Sequence, residues 1–170
     1  MSPKRRELQP NLVGHYAGPM TRLLAYAADS ALGTALFSFG AGALVWVTQL
    51  LSGDRFDVRH AGPWIGFPLL VVWGFLYFFV PLAMSGRTPG MALVGLEVVR
   101  RDGSNLDSGH AALRVLTLPL SFLTLGIGLL GIVVGREHRA LHDVLADTAV
   151  VYGWDARAAR LRFLALGGRR

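Results

Sequence analysis

Two long runs of apolar residues near the start of the chain predict transmembrane helices. The first extends from Leu23 to Leu51 with a single formal charge at Asp29, and the second, from Ala61 to Ser85, carries no charge. About 20 helical residues, each rising about 1.5 Å, span the hydrocarbon core of a bilayer. A cleaved signal peptide is a weaker interpretation, because the first run continues well beyond the small residues Ala41-Gly42-Ala43.

A third apolar run, Val115 to Gly135, is also uncharged but is interrupted by residues that break helices. These are Pro119, Gly126, Gly128 and Gly131. The segment that follows is rich in arginine, which the positive-inside rule assigns to the cytoplasm. A re-entrant or broken helical hairpin is therefore favoured for this run, and a simple crossing stays open as the alternative.

Two shorter runs have the composition of β-strands. Leu93 to Arg100 ends at an Asp102-Gly103 turn signal, and Thr148 to Tyr152 is β-prone as well. They can pair only if both lie on one side of the membrane. Between them, Asp107 or Ser108 is predicted to cap a helix that starts near Gly109. Pro89-Gly90 is predicted to form a turn after the second apolar run.

These elements define the predicted fold class, an all-α polytopic membrane protein with two transmembrane helices, a third re-entrant or spanning segment and a small cytoplasmic β-pair. Residues 1–15 are predicted to form a basic, flexible arm, residues 16–152 the transmembrane domain, and residues 153–170 a basic tail. The tail is expected either to lie on the membrane as an interfacial helix or to be disordered. Both chain ends are predicted to face the cytoplasm.

Composition agrees with a lipid environment. The chain is 52% hydrophobic and 16% charged, whereas soluble proteins carry roughly 25% charged residues. It has no cysteine, which excludes disulfides and thiol chemistry. The net charge of +6 is spread around the apolar runs, so anionic lipid headgroups are expected partners and nucleic acid is not. The expected location is a bacterial plasma membrane, crossed more than once.

One face of the first predicted helix carries polar and small residues at helical spacing. They are Arg22, Tyr26, Asp29, Gly33 and Gly40. Asp29 lies about 10 Å deeper than Arg22 by helical rise, where an ionised carboxylate costs roughly 2.5 to 3.5 kcal/mol. It is therefore expected to face the bundle interior. An ion or proton site and a structural polar contact are equally good interpretations of this carboxyl group.

A charged segment, Arg136 to Asp147, precedes the last predicted strand. Arg136, Arg139 and Asp143 would share a helix face, while His138 and His142 stand at a spacing seen in metal-binding helices. With no third convergent ligand, no metal or cofactor is predicted, and solvated salt bridges are the expected role. The nearby glycines lack the context of a phosphate loop. Since no nucleophile and base pattern is visible, an enzyme is not expected.

Three spaced motifs resemble the RDD family of bacterial membrane proteins. The first is Tyr16-Ala17-Gly18 followed by the stretch from Arg22 to Asp29, and the second is Gly86-Arg87-Thr88-Pro89-Gly90 with Gly95 to Val99. The third is Leu141-His142-Asp143 with Thr148 to Val151. They occur in the family's order from about Tyr16 to Val151.

The resemblance implies that Arg22, Asp29 and Asp143 are the arginine and two aspartates that give the family its name. Tyr26, Arg87, Thr88, His142 and Asp147 lie beside them as secondary candidates. Two positions depart from the family pattern. Met91 replaces a basic residue common after Pro-Gly, and Asp147 stands where glycine is usual.

The family is suspected of transport, including cation/proton exchange. The resemblance therefore implies a small membrane protein that moves an ion or solute, with Asp29 as the protonatable site and Arg22 and Asp143 as its electrostatic partners. So few helices could not enclose a transport pathway alone, so a homo-oligomer or a membrane partner subunit would be needed. The face at Gly33 and Gly40 offers a surface on which another helix could pack closely. The alternative is a non-transporting accessory or assembly subunit, and enzymatic action on lipids ranks third.

Overall fold

Two long antiparallel helices form the apolar part of the molecule. The computed structural model describes residues 16–52, 62–123, 132, 139–156, 158 and 161. Helix α1 is Pro19–Ser52 and helix α2 is Gly62–Ser85. Both are long and apolar enough to cross a membrane, which agrees with the two helices predicted from the hydrophobic runs.

The beginning of α1 packs against the end of α2. Tyr77 Oη donates to Asp29 Oδ1 at 3.1 Å, and Trp73 Nε1 donates to the Gly33 carbonyl at 3.1 Å. Elsewhere both helices present apolar side chains outward, including Phe39, Trp46 and Phe67. In water such surfaces would be unfavourable, whereas lipid solvates them at no comparable cost.

A sharp bend separates α2 from a short helix, α3 (Pro89–Leu93). Gly86 ends α2 in the left-handed region, with φ of 70°, where a side chain would be strained. Thr88 is the N-cap of α3, and Pro89 occupies its first turn, a position where proline's missing N–H costs nothing. The prediction that Pro89-Gly90 forms a turn is therefore wrong, because the turn lies earlier and Pro-Gly starts a helix.

The two β-prone runs pair as predicted. Strand β1 (Leu96–Arg100) and strand β2 (Thr148–Tyr152) are antiparallel, with Val98 opposite Val150. The segment before α1 joins them, since Ala17 N donates to the Val150 carbonyl at 2.9 Å and Tyr16 bridges to Val151. The start of α1 and the β-pair consequently lie at the same end of the helical hairpin.

Two more helices complete the polar end. Helix α4 is Ser108–Leu123, and helix α5 is Leu141–Leu145. Asp107, one of the two caps that the sequence offered, caps α4 by accepting from His110 N at 2.9 Å. Helix α4 packs against α2 and α5. The part of the third apolar run that would decide between a hairpin and a crossing lies outside the described residues, apart from Ile132.

The described residues also omit the predicted basic arm and most of the predicted tail. Residues 153–156 are helical, and Trp154 stacks on Tyr152 with ring centroids 4.7 Å apart. The buried apolar residues form two clusters, one on each side of the β-pair. The larger one joins Ala25 of α1, Leu82 of α2, Val115 of α4 and Val98 of β1. This core fixes α1, α2 and α4 around the polar groups described next.

Candidate functional site

Asp143 lies at the centre of a buried ionic cluster. Its side chain is fully buried and accepts from two guanidinium groups. Arg22 Nη1 of α1 donates to Oδ2 at 2.6 Å, and Arg114 Nη1 of α4 donates to Oδ1. One carboxylate at the start of α5 thus joins α1 to α4, the helix that follows β1.

Further contacts hold this carboxylate in place. Ala140 N donates to Asp143 Oδ2 at 3.0 Å, at the N-terminus of α5. Arg139 donates to the carbonyls of Thr148 and Asp143, at 2.9 and 3.1 Å. Thr148 Oγ1 also accepts from Arg114 Nη1 at 3.0 Å. The loop between α5 and β2 is therefore tied to the same cluster as the two helices.

His142 extends the cluster towards Tyr26 of α1. Ser121 Oγ lies 2.8 Å from His142 Nδ1 and accepts from the His142 backbone N at 3.2 Å. His142 Nε2 is 3.4 Å from Tyr26 Oη and 3.4 Å from Asp143 Oδ1. If the Ser121 hydroxyl donates to Nδ1, the neutral imidazole ring carries its proton on Nε2.

The electrostatics of this cluster favour fixed charges. Burial disfavours ionisation of Asp143, but Arg114 and Arg22 outweigh it and hold the pKa of the carboxyl below its usual range. Burial, aided by Arg114, lowers the pKa of His142 to about 3. His142 contacts Ser121 on one side and Asp143 on the other, as a histidine does in a catalytic serine, histidine and aspartate set. However, a neutral histidine of such low pKa is a weak base, and Ser121 is fully buried. The geometry therefore favours a structural role for this line of contacts.

Asp29 forms a second polar cluster nearer the middle of the helical hairpin. Its side chain is 2% exposed, which agrees with the prediction that it faces the interior. Tyr77 Oη of α2 donates to Oδ1 at 3.1 Å, and Thr88 Oγ1 donates to Oδ2 at 2.5 Å. Gly90 N donates to Oδ1 at 2.7 Å. Three neutral donors from α2 and α3 thus surround the carboxylate.

Gly90 allows α3 to approach α1 closely enough for these contacts. A Cβ atom on Gly90 would lie 2.3 Å from the Ala25 carbonyl oxygen and 2.7 Å from Asp29 Cγ. Both distances are far below van der Waals contact. Any side chain at this position would push α3 away from α1, so glycine is required by the geometry of the Asp29 cluster.

The structure therefore separates the three predicted principal residues into two clusters. Arg22 and Asp143 pair with each other, whereas Asp29 has neither a hydrogen bond nor an ion pair with Arg22 or Asp143. Arg22 and Asp143, which were predicted as electrostatic partners of Asp29, thus make no direct contact with it. The reason is distance, since seven residues of helix place Arg22 and Asp29 about 10 Å apart along α1.

The secondary candidates have different positions. Tyr26 and His142 connect the ionic cluster to α1, and Thr88 binds Asp29. The side chain of Arg87 is exposed. Asp147 lies 3.6 Å from Arg139 and has a positive φ of 47°. Glycine accepts a positive φ without strain, which explains why glycine is usual at this position in the family pattern.

The charged segment before β2 differs from its prediction. Arg139, His142 and Asp143 are buried, so the expectation of solvated salt bridges is wrong for these residues. The helix at Leu141–Leu145 packs against α4, and His142 and Asp143 lie on its buried side. Among the described residues, no group of three histidine or acidic side chains could hold a metal ion.

Two important residues were not singled out by sequence reasoning. Arg114 and Ser121 belong to none of the motifs and candidate sets identified in the sequence. Both lie on the buried face of α4. The signal was available for Arg114, because it follows Ala111 by three residues and precedes Val115, so helical periodicity places it on an apolar face.

Comparison with known proteins assigns the chain to a family. The sequence model of the RDD family matches residues 16–147. The uncharacterised protein YckC of Bacillus subtilis (strain 168) is 33% identical over 78 residues, which cover 43% of this chain and 52% of that protein. The match thus spans about half the length of that relative. No solved structure matches the chain.

Proposed function

The chain belongs to the RDD family, and on this premise we propose that it moves an ion or small solute across a membrane, with Asp29 as the protonatable site. Cation/proton exchange is the form that we favour. Because Asp143 is paired with two arginines, the proposal no longer needs Arg22 and Asp143 as direct partners of Asp29. Arg22 and Asp143 instead hold α1, the helix in which Asp29 lies, against α5.

The observation that supports this proposal most is the chemistry around Asp29. The buried carboxylate is contacted by neutral donors from Tyr77, Thr88 and Gly90, and the described residues supply it with no cation. It could therefore bind a proton or a cation without breaking an ion pair. Carboxylate, hydroxyl and carbonyl oxygens are also the ligand types that hard cations prefer. An ionisable residue inside a membrane helix is a functional candidate for the same reason.

Aromatic side chains lie on one side of this carboxylate along the hairpin. Tyr77 is next to Trp73 at a ring distance of 6.3 Å, and Trp73 is next to Phe37 at 6.5 Å. Such a column can restrict water between α1 and α2. On the opposite side of Asp29, towards the polar end of the molecule, Tyr26 Oη lies 3.4 Å from His142 Nε2. A proton or cation released from Asp29 would then leave more easily towards the polar end of the molecule.

The proposed arrangement places that polar end in the cytoplasm of a bacterium, with the protein in the plasma membrane. Since β1 and β2 pair, the chain between them must return to the side from which it left. This supports a re-entrant hairpin over a single crossing for the third apolar run. The bilayer and its anionic headgroups would be the partners, together with a second copy or another membrane subunit that completes a pathway; nucleic acid is not among them.

Flux measurements test the proposal. Purified protein would be reconstituted into vesicles that contain a pH-sensitive dye, and a gradient of Na⁺ or K⁺ would be imposed. We expect a cation-dependent proton flux for the wild type. Asp29→Asn keeps the size of the side chain but removes the titratable group, so it should abolish the flux while the protein still elutes as a folded species.

Asp102→Asn is the matched control, since Asp102 is partly exposed in the turn after β1 and lies outside both clusters. It should keep the wild-type flux. A folded Asp29→Asn variant with wild-type flux would exclude Asp29 as the site. Failure of the wild type to carry any solute-dependent proton flux would remove the support for cation/proton exchange.

A non-transporting accessory or assembly subunit is the second candidate. It is favoured by the large apolar surface that α1 and α2 expose, for example at Phe39, Trp46 and Leu50. Such helices could pack against another membrane protein while the ionic cluster fixes the polar end. This role predicts no flux under any gradient and a defect in complex formation when these apolar positions are changed.

A further inference from the structure

Arg22 has a donor that no acceptor in the described part of the chain satisfies. The residue is 4% exposed, yet only two of its three guanidinium nitrogens are bonded. Nε donates to the Ala17 carbonyl at 3.2 Å, and Nη1 donates to Asp143 Oδ2 at 2.6 Å. Nη2 is buried and has no partner there. Buried polar groups are nearly always hydrogen-bonded, and leaving one unsatisfied is costly.

The charge of the cluster points to the kind of acceptor. Arg139 and Asp147 face each other as one pair, 3.6 Å apart. Arg22 and Arg114 then share Asp143, the single carboxylate that contacts both of them among the described residues. His142, which touches Asp143, adds no negative charge. The three side chains of Arg22, Arg114 and Asp143 together carry two positive charges and one negative charge, and an anion would offset that local excess better than a water molecule.

Arg22 also lies where an anionic group is available. It is the fourth residue of α1 (Pro19–Ser52), at the polar end of a helix long enough to cross a membrane. Its neighbours Leu23 and Leu24 are exposed apolar residues. The positive end of the helix dipole favours negative charge at the same place. Lipid phosphates and dissolved phosphate both reach this level of a bilayer.

We propose that Arg22, through Nη2 and with the charge of Arg114 beside it, binds a phosphate oxyanion. The ligand is either free inorganic phosphate or the phosphodiester of an anionic lipid, which share the same recognition chemistry. Arginine is suited to this task because its planar donors match phosphate oxygens. The site is separate from Asp29, and it does not depend on whether the protein transports anything.

Thermal unfolding of the full chain tests this site without a flux assay. In neutral detergent, inorganic phosphate would be compared with chloride at equal ionic strength. In nanodiscs, phosphatidylglycerol would be compared with phosphatidylcholine. A ligand that binds only the folded state raises the melting temperature progressively as its concentration exceeds the dissociation constant. We expect a rise in at least one of the two comparisons.

Arg22→Lys keeps the charge and one donor for Asp143 but removes Nη2. Loss of a charge-assisted hydrogen bond should weaken ligand binding about tenfold or more. Arg87→Lys is the control, because Arg87 is an exposed arginine in the turn before α3; it should keep the wild-type response. If Arg22→Lys does not fold, the double variant Arg22→Gln/Asp143→Asn, which removes the pair together, takes its place.

The two comparisons also identify the source of the ligand. A shift with inorganic phosphate supports a dissolved anion, and a shift only with phosphatidylglycerol supports a lipid headgroup. Absence of a shift in both comparisons overturns the proposal, whatever the variants do. A full wild-type response in the Arg22 variant overturns it as well.

Discussion

Arg22 Nη1 and Asp143 Oδ2 are 2.6 Å apart although 121 residues of chain separate them. This pair joins the first turn of α1 to the start of α5, and Arg114 adds α4 through the other carboxylate oxygen. All three side chains are buried. Breaking a buried pair by removing one partner is strongly destabilising, because the remaining charge is left without compensation.

Asp143→Asn should therefore destabilise the protein severely. The change leaves two buried guanidinium groups without a carboxylate, and removal of one partner from a buried pair typically costs about 3 to 5 kcal/mol. We expect poor expression and a large fall in melting temperature, measured by size-exclusion chromatography of heated detergent extracts. Asp102→Asn is the control, since its contact with Arg100 is 4.0 Å long and exposed, and exposed pairs contribute at most about 1 kcal/mol. Equal stability of the two variants would contradict a central role for Asp143.

Gly90→Ala should disrupt the Asp29 cluster by sterics alone. The new methyl group would lie 2.3 Å from the Ala25 carbonyl oxygen, and overpacking of this kind typically costs about 1 to 3 kcal/mol. We expect a lower melting temperature, because α3 must move away from α1. Gly40→Ala is the matched control, since its Cβ would meet nothing within 4 Å. Alanine there should be neutral or slightly stabilising. Wild-type stability of Gly90→Ala would show that α3 is not held as closely as described.

Local patterns predicted the elements of this fold better than they predicted its contacts. Helical spacing in α1 identified a face with Arg22, Tyr26, Asp29 and Gly33, and the first three do meet polar groups from other elements. Gly33 packs on Tyr77 inside the chain, whereas Gly40 has no neighbour within 4 Å of its Cβ position in the described structure. Periodicity states which residues share a face, but it does not state which segment covers that face.

The pairing of charges could not be predicted for the same reason. Asp29 and Asp143 are both acids of the recognised motifs, yet one is surrounded by neutral donors and the other by two arginines. The difference arises from α3 and α4, which reach these acids only after the chain folds back. The spacing of residues along the sequence does not predict these long-range contacts. The backbone at Asp147 differs, because the glycine that is usual at this position accepts the positive φ that the structure shows there.

Asp147→Gly should stabilise the protein. Asp147 has a φ of 47°, a region that costs an ordinary residue about 1 to 2 kcal/mol and glycine almost nothing. Aspartate tolerates it better than most residues, so we expect a gain of up to about 1 kcal/mol. The lost contact with Arg139 is 3.6 Å long and its carboxylate is half exposed, so it contributes little. Asp147→Ala should instead be destabilising. A melting temperature for Asp147→Gly below that of the wild type would mean that the Arg139 contact outweighs the backbone strain.

Protonation of His142 links the stability of the ionic cluster to pH. Burial and the nearby Arg114 lower the pKa of this histidine to about 3, whereas an unfolded histidine titrates near about 6.5. Between these two values the unfolded state binds a proton that the folded state does not bind. The contribution of the neutral histidine is therefore complete above about pH 6.5 and is lost progressively as the pH falls towards about 3.

The free energy of unfolding should consequently decrease on acidification by about 1.4 kcal/mol per pH unit below about pH 6.5, through this group alone. Thermal unfolding in detergent between about pH 7.5 and pH 4.5 would measure the slope, because this range lies above the ordinary pKa of aspartate. His142→Gln cannot titrate, so its slope should be smaller than that of the wild type by this amount even if its overall stability is lower. Identical slopes for the wild type and His142→Gln would show that His142 is not held neutral in the folded cluster.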